Sequence, residues 1–252
     1  MGKLIAIHSF RGGTGKSNIS GNLAALLATR GHRVGLIDTD IQSPGVHALF
    51  NFAPESVTHT LNDYLQKRCA IEDAAYEVTV SIPETLRKPA SALFLIPSSM
   101  RSGEITRILQ DGFDVGRLNM GFQQLIQKFD LDYLLVDTHP GVNEETLLAA
   151  AISDTLLLIL RPDRQDYQGT AIMLELAKQL GVPRISLVIN KAVNQKDFQA
   201  MTQRVEASFG HPVLGVIPLS DEIAALGSTG LFCFKAPKHA MSKTLNAIVD
   251  TL

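Results

Sequence analysis

Short apolar runs rich in β-branched residues recur along the chain at Leu4–Ile7, Val34–Ile37, Leu93–Ile96, Tyr133–Val136, Leu156–Leu160, Ile185–Ile189 and Val213–Ile217. Runs with no polar alternation predict strands buried on both faces, as in a parallel sheet. Between them the spacing changes to a helical one. Asn18 to Arg30 is apolar at Ile19, Leu23, Leu26 and Leu27, and Leu118 to Phe129 at Leu118, Phe122, Leu125, Ile126 and Phe129. Glu144 to Ile152, Thr170 to Leu180 and Phe198 to Phe209 are further helices, the second of them stopped by Gly181-Val182-Pro183. The last segment, His239 to Leu252, carries a stripe at Met241, Leu245, Ile248, Val249 and Leu252. A helix lying on a membrane wants a basic polar face and bulky aromatics. This one offers Lys243 against Asp250 and no aromatic, so it is expected to pack into the core. Residues 51–91, with Pro54, Pro83 and Pro89, have weaker periodicity and read as a surface excursion. The pattern predicts an α/β fold: one domain over 1–252, with a doubly wound, mostly parallel sheet flanked by helices and ligands at the carboxyl ends of the strands.

Composition narrows the function. A net charge of −2 gives no bulk basic field to draw nucleic acid. Basic residues come as scattered pairs, Lys67-Arg68, Arg87-Lys88 and Lys235 with Lys238. Cys69 and Cys233 are far apart and show no metal-ligand spacing, and the histidines show none either. The apolar stretch from Leu147 to Leu160 is interrupted by Ser153-Asp154 and is too short to cross a bilayer. With no leader visible before the first strand, a cytoplasmic location is expected.

The chemistry is concentrated after the first strand, in Arg11-Gly12-Gly13-Thr14-Gly15-Lys16-Ser17 followed by Asn18. The ordinary phosphate loop is Gly-x-x-x-x-Gly-Lys-Ser/Thr. Here Phe10 stands where its first glycine belongs. Three glycines in four positions nevertheless let backbone N–H groups curl around an anion, and the helix that follows turns its positive end to the same place. Lys16 suits the β- and γ-phosphates, and the Ser17 hydroxyl suits Mg²⁺. Three carboxylates sit at strand ends, on the edge that carries the glycine loop. Asp38 and Asp40 follow Leu36-Ile37, and Asp137 follows Leu134-Leu135-Val136. Asp137 has the context of a Walker B aspartate holding Mg²⁺ through water, with Asp38 as a second metal-site carboxylate. Asp40, nearer the loop Ile41–Gly45, suits orientation or deprotonation of an attacking water. Thr138-His139-Pro140-Gly141 then forms a turn able to fold over a γ-phosphate, with His139 read as a loop histidine.

Together these residues resemble the ParA/MinD family of deviant Walker A ATPases, a branch of the P-loop NTPases that are nitrogenase-iron-protein-like in fold. The matching segments are Arg11 to Ser17, Leu36 to Asp40, Leu134 to Gly141, Ile189-Asn190-Lys191 and Gly215-Val216-Ile217-Pro218, covering nearly the whole chain. The resemblance implies a cytoplasmic ATPase using ATP and Mg²⁺. Two copies would close face to face over two nucleotides to form a homodimer, and a partner protein would stimulate hydrolysis. It implies that Asn190 reads the adenine edge, and that Lys191, Pro218 and Leu219 line the base pocket. Arg11 departs from the signature lysine. Either its guanidinium clamps the partner's phosphates in trans, or it is a solvated loop residue and hydrolysis is slow or absent. DNA, a membrane or a protein scaffold all stay open as the surface bound. The rival class on the same fold is a metabolic ligase of the dethiobiotin-synthetase kind. A metal-cluster carrier would need paired cysteines near the dimer axis.

Overall fold

In the computed structural model, which describes residues 2–52, 56–193 and 197–252 (Pro54 lies outside them), the chain runs β1 (Lys3–His8), α1 (Lys16–Thr29), β2 (Arg33–Asp38), α2 (Leu61–Leu65), β3 (Tyr76–Glu77) and β4 (Ala92–Ile96). It continues with α3 (Ser102–Asp111), α4 (Val115–Lys128), β5 (Tyr133–Asp137), α5 (Glu144–Ala151), β6 (Thr155–Leu160) and α6 (Arg164–Gln179). It ends with β7 (Ile185–Ala192), α7 (Phe198–Phe209), β8 (Val213–Pro218), α8 (Asp221–Ala225), α9 (Phe232–Lys235) and α10 (Ala240–Val249). The strands form one sheet in the order β3-β4-β2-β5-β1-β6-β7-β8. Every pairing is parallel except β3 with β4.

Alternate residues of each central strand feed opposite cores. Leu4 and Ala6 face the layer built by α4, α5 and α6, while Ile5 and Ile7 face α1 and α10. This is why the strands read as unbroken apolar runs. The stripe on α10 buries Met241, Leu245, Ile248 and Val249 against α1 and β8, so that apolar face is spent inside the molecule. No helix among the described residues is long and apolar enough to cross a membrane.

Two expectations change. Residues 51–91 are more than a surface excursion. They contribute the antiparallel edge strand β3 and bury Leu61, Tyr64, Ile71, Val78 and Ile82 under the sheet's flanking layers. Helix α6 starts at Arg164 rather than Thr170, because Asp163 caps it by accepting from the N–H groups of Gln165 and Asp166.

The order of β5, β1 and β6 sets the site. The chain leaves β1 toward β2 on one side and leaves β5 toward β6 on the other, so connections diverge beside the end of β1. That divergence opens a crevice at the carboxyl ends of the strands, where the glycine loop lies.

Candidate functional site

The loop joins β1 to α1 through backbone conformations that glycine permits. Gly13 has φ +75° and Gly15 φ +91°. A Cβ on Gly15 would stand 2.4 Å from Asn190 Nδ2, so its lack of a side chain is required for space as well as for conformation. Ser9 and Thr14 are buried, Gly12 and Gly13 exposed, and Ser17 and Asn18 half-buried.

Registration of the strands brings the carboxylates together. Asp38 and Asp137 are direct partners across β2 and β5. Lys16, only 6% exposed, donates from Nζ to Asp137 Oδ1 at 3.0 Å, and Ser20 Oγ donates to the same oxygen at 2.7 Å. Ser20 was not among the residues singled out in the sequence. It lies one helical turn beyond Lys16, whose carbonyl it also reaches, and that i, i+4 spacing was the available signal. Among the described residues, Asp137 Oδ2 is buried with no hydrogen-bond partner. An anionic oxygen without a donor is costly, and a divalent cation or its water satisfies it, so this carboxylate fits a Mg²⁺ ligand.

Asp38 is used differently. Its Oδ2 accepts from the N–H groups of Gly45 at 3.0 Å and Val46 at 3.2 Å, and Oδ1 accepts from Asp40 N at 3.0 Å. It therefore organises the loop after β2. Burial, then the neighbouring charge of Asp137, raises its pKa to about 7 despite Lys16 and these donors. Asp40 accepts from Ser43 N at 3.1 Å, and His139 Nε2 lies 3.8 Å from the same Oδ1. Its pKa is also raised, chiefly by burial, as a proton-accepting carboxylate requires. His139 is held in turn by Asn143 at 3.2 Å.

His8, at the tip of β1, is wholly buried and shares a 2.7 Å hydrogen bond through Nδ1 with Thr138 Oγ1. Burial, with Lys16 and His139 adding to it, lowers its pKa to about 3, so it is neutral. It ties the glycine loop's base to the turn after β5. Gly141 N, donating to Ser9 O at 3.2 Å, makes a second such tie.

Arg11 turns toward its own chain. Its Nη1 lies 3.6 Å from Asp166 and 3.8 Å from Asp163, at the start of α6. Phe10, the residue before Arg11, packs against the same helix. A Cβ on Gly169 of α6 would fall 2.1 Å from Phe10 Cδ1, so the ring sits in a notch that only glycine leaves open.

On the far side of the loop, Gly15, Asn18, Asn190, Lys191, Pro218 and Leu219 share a cleft of about 270 Å³ closed by α8 and Met241. All the residues expected around an adenine are thus gathered beside the loop. Asn190 Nδ2 donates to Thr14 O at 2.7 Å, and Lys191 Nζ to Gly13 O at 2.7 Å.

The family described as the CobQ/CobB/MinD/ParA nucleotide binding domain matches residues 5–232. An uncharacterized ATP-binding protein of Methanocaldococcus jannaschii is 27% identical, over 90% of this chain and 78% of its own. A cytosolic Fe-S cluster assembly factor, a Nubp2 homolog of Anopheles gambiae, is 24% identical over 99% and 95%. The solved septum site-determining protein MinD of Pyrococcus horikoshii, in complex with Mg-ADP, superposes with a TM-score of 0.82 at 20% identity, covering 100% of this chain and 96% of that one. At that identity the likeness establishes the shared fold.

Proposed function

Since the chain belongs to the CobQ/CobB/MinD/ParA nucleotide-binding family, we propose that it is a cytoplasmic Mg²⁺-dependent ATPase acting as a dimerisation switch. ATP-bound copies pair face to face to position or recruit a partner protein, which stimulates hydrolysis. The observation that carries this is the convergence of Lys16, Asp40 and Asp137 on one glycine loop beside an apolar cleft of base size.

The backbone N–H groups of Gly12 to Ser17 bind phosphate at the positive end of α1. Lys16 exchanges one anionic partner, Asp137, for another, the phosphate oxygens, and the buried carboxylate it leaves would be compensated by the metal. Asp137 and the Ser17 hydroxyl would hold the metal, with Asp38 behind them fixing the loop that bears Asp40. Bound Mg²⁺ supplies charge neutralisation for the phosphates. Asp40 orients water and takes its proton. Arg11 leaves Asp163 and Asp166 for the partner's phosphates. Leu219, Pro218 and Asn190 enclose the base.

The cluster-assembly role of the Nubp2 homolog finds no support in paired cysteines, since the chain has only Cys69 and Cys233. A ligase of the dethiobiotin-synthetase kind would need a small carboxylic-acid acceptor for turnover. The test is particle size by light scattering with ATP, with ADP, and with ATP on Asp40→Ala and Arg11→Ala variants. The Asp40 variant accumulates as dimer with ATP, and the Arg11 variant binds ATP but stays monomeric. A monomeric Asp40 variant, or a normally dimerising Arg11 variant, overturns the corresponding role.

A further inference from the structure

Asn190 and Lys191 sit side by side at the end of β7, and both side chains reach the glycine loop. In a regular strand, consecutive side chains point to opposite faces. Here the pairing of β7 with β8 shifts register between Ile189 and Ala192, and Lys191 has φ +58°, in the left-handed region that a non-glycine residue enters only where the surroundings hold it. The irregularity turns both side chains to the same side. Asn190, 7% exposed, spends an Nδ2 hydrogen on Thr14 O and uses Oδ1 to accept from Lys191 N at 2.9 Å. Lys191 spends its ammonium group on Gly13 O.

The two acceptors are consecutive carbonyls in the loop. In a trans peptide the C=O and the N–H of the next residue point in opposite directions. Holding Gly13 O toward β7 therefore directs the Thr14 N–H away from it, and holding Thr14 O directs the Gly15 N–H likewise. Glycines on both sides of Thr14 would otherwise let these peptide planes rotate among many orientations. We infer that Asn190 and Lys191 are positioning residues that fix the Gly13–Thr14 and Thr14–Gly15 peptide planes for phosphate, and that a bulge in β7 exists to deliver both. This assigns them to the phosphate end of the site, beyond the base contact that the family resemblance implies. It rests on the nucleotide-binding reading above.

A ligand without a base separates the two roles. Calorimetric titration with inorganic tripolyphosphate and with Mg·ATP is carried out on the wild-type chain and on Asn190→Ala, Lys191→Met and Leu219→Ala. Asn190→Ala, which changes no charge, weakens tripolyphosphate roughly three- to thirty-fold for one lost buried hydrogen bond, and ATP by at least that factor because the base contact goes with it. Lys191→Met does so by at least as much, and Leu219→Ala weakens only ATP. Unchanged tripolyphosphate affinity in Asn190→Ala alongside weakened ATP returns the residue to base reading and overturns the inference. A folded wild type that binds neither ligand overturns the nucleotide reading instead. Backbone amide order parameters measured without ligand decide independently. Those of Thr14 and Gly15 fall in the Asn190→Ala/Lys191→Met double variant, and values unchanged from wild type refute the positioning role.

Discussion

Replacing Gly169 with alanine tests whether the loop is keyed to α6 through Phe10. Gly169 lies inside a helix, where Gly→Ala ordinarily stabilises by about 1 kcal/mol. Here the new Cβ would lie 2.1 Å from Phe10 Cδ1, 2.3 Å from Cγ and 2.8 Å from Cβ. Rotating the ring does not relieve the last contact, so the backbone at Phe10 must move. Such overpacking costs ~1–3 kcal/mol. Gly169→Ala in the wild-type chain is therefore expected to be neutral or destabilising by up to ~2 kcal/mol, the difference between these two figures. In a Phe10→Gly background, which also restores the ordinary first glycine of a phosphate loop, the clash is gone and the same change should stabilise by about 1 kcal/mol. Urea unfolding followed by circular dichroism on the four chains gives the coupling energy directly. If Gly169→Ala stabilises equally in both backgrounds, the ring is not seated against α6. Because Arg11 follows Phe10, the proposed ATP-dependent dimerisation should weaken with Gly169→Ala as well.

Two buried groups set opposing pH dependences in metal-free buffer. His8, with its pKa lowered from 6.5 to about 3, contributes stability that is complete above 6.5 and is lost as pH falls toward 3. Asp38, raised from 3.8 to about 7, contributes stability that is complete below 3.8 and is lost as pH rises toward 7. Between about pH 4 and 6.5 the two slopes cancel. In His8→Asn the slope of the raised carboxylates, Asp38 and with it Asp40, loses the opposing contribution of His8, and unfolding free energy should fall more steeply with rising pH than in the wild-type chain, each such group contributing up to ~1.4 kcal/mol per unit; a variant profile no steeper than wild type contradicts the assignment. Leu245 is fully buried in α10, so Leu245→Ala should cost ~2–5 kcal/mol in the same assay. A change under ~0.5 kcal/mol, the size typical of surface substitutions, would mean the last helix is not part of the core.

What the sequence made legible follows from how far each signal extends along the chain. Central strands such as β1 and β6 are apolar on both faces over four or five residues, so the buried run is plain. Residues 51–91 hide their role because the buried positions, Leu61, Tyr64, Ile71, Val78 and Ile82, follow short turns and irregular backbone with no single period. Helix α3 went unread since Ile108 is buried while Leu109, beside it, is exposed, leaving too narrow an apolar face. At the site, residues fixed by local spacing were legible: the loop, Lys16, and the aspartates at strand ends. Contacts made across the fold were not. That Phe10 seats on Gly169, His8 under Thr138, or Lys191 on Gly13 depends on which strands become neighbours. A glycine inside a helix with no turn to explain it was the one visible hint at Gly169.

These contacts share a direction. The glycine loop is tied to α6 through Phe10 and Arg11, and to β7 through Asn190 and Lys191. It is tied to β5 through Lys16, and to the turn after β5 through His8 and Ser9. Each tie reaches a different element of the crevice. A loop of glycines left free would have to be ordered at the moment of binding, at an entropic cost set against affinity. Fixing it in advance moves that cost into folding. In the proposed switch, the same ties would carry a change at the phosphates to α6 and to the turn bearing His139. If Lys16 releases Asp137, the buried carboxylate loses a donor that Ser20 alone does not replace, so the end of β5 must adjust or gain a cation. The hydrogen bonds and ion pairs of the glycine loop thus run to the same elements that the proposed switch would have to move.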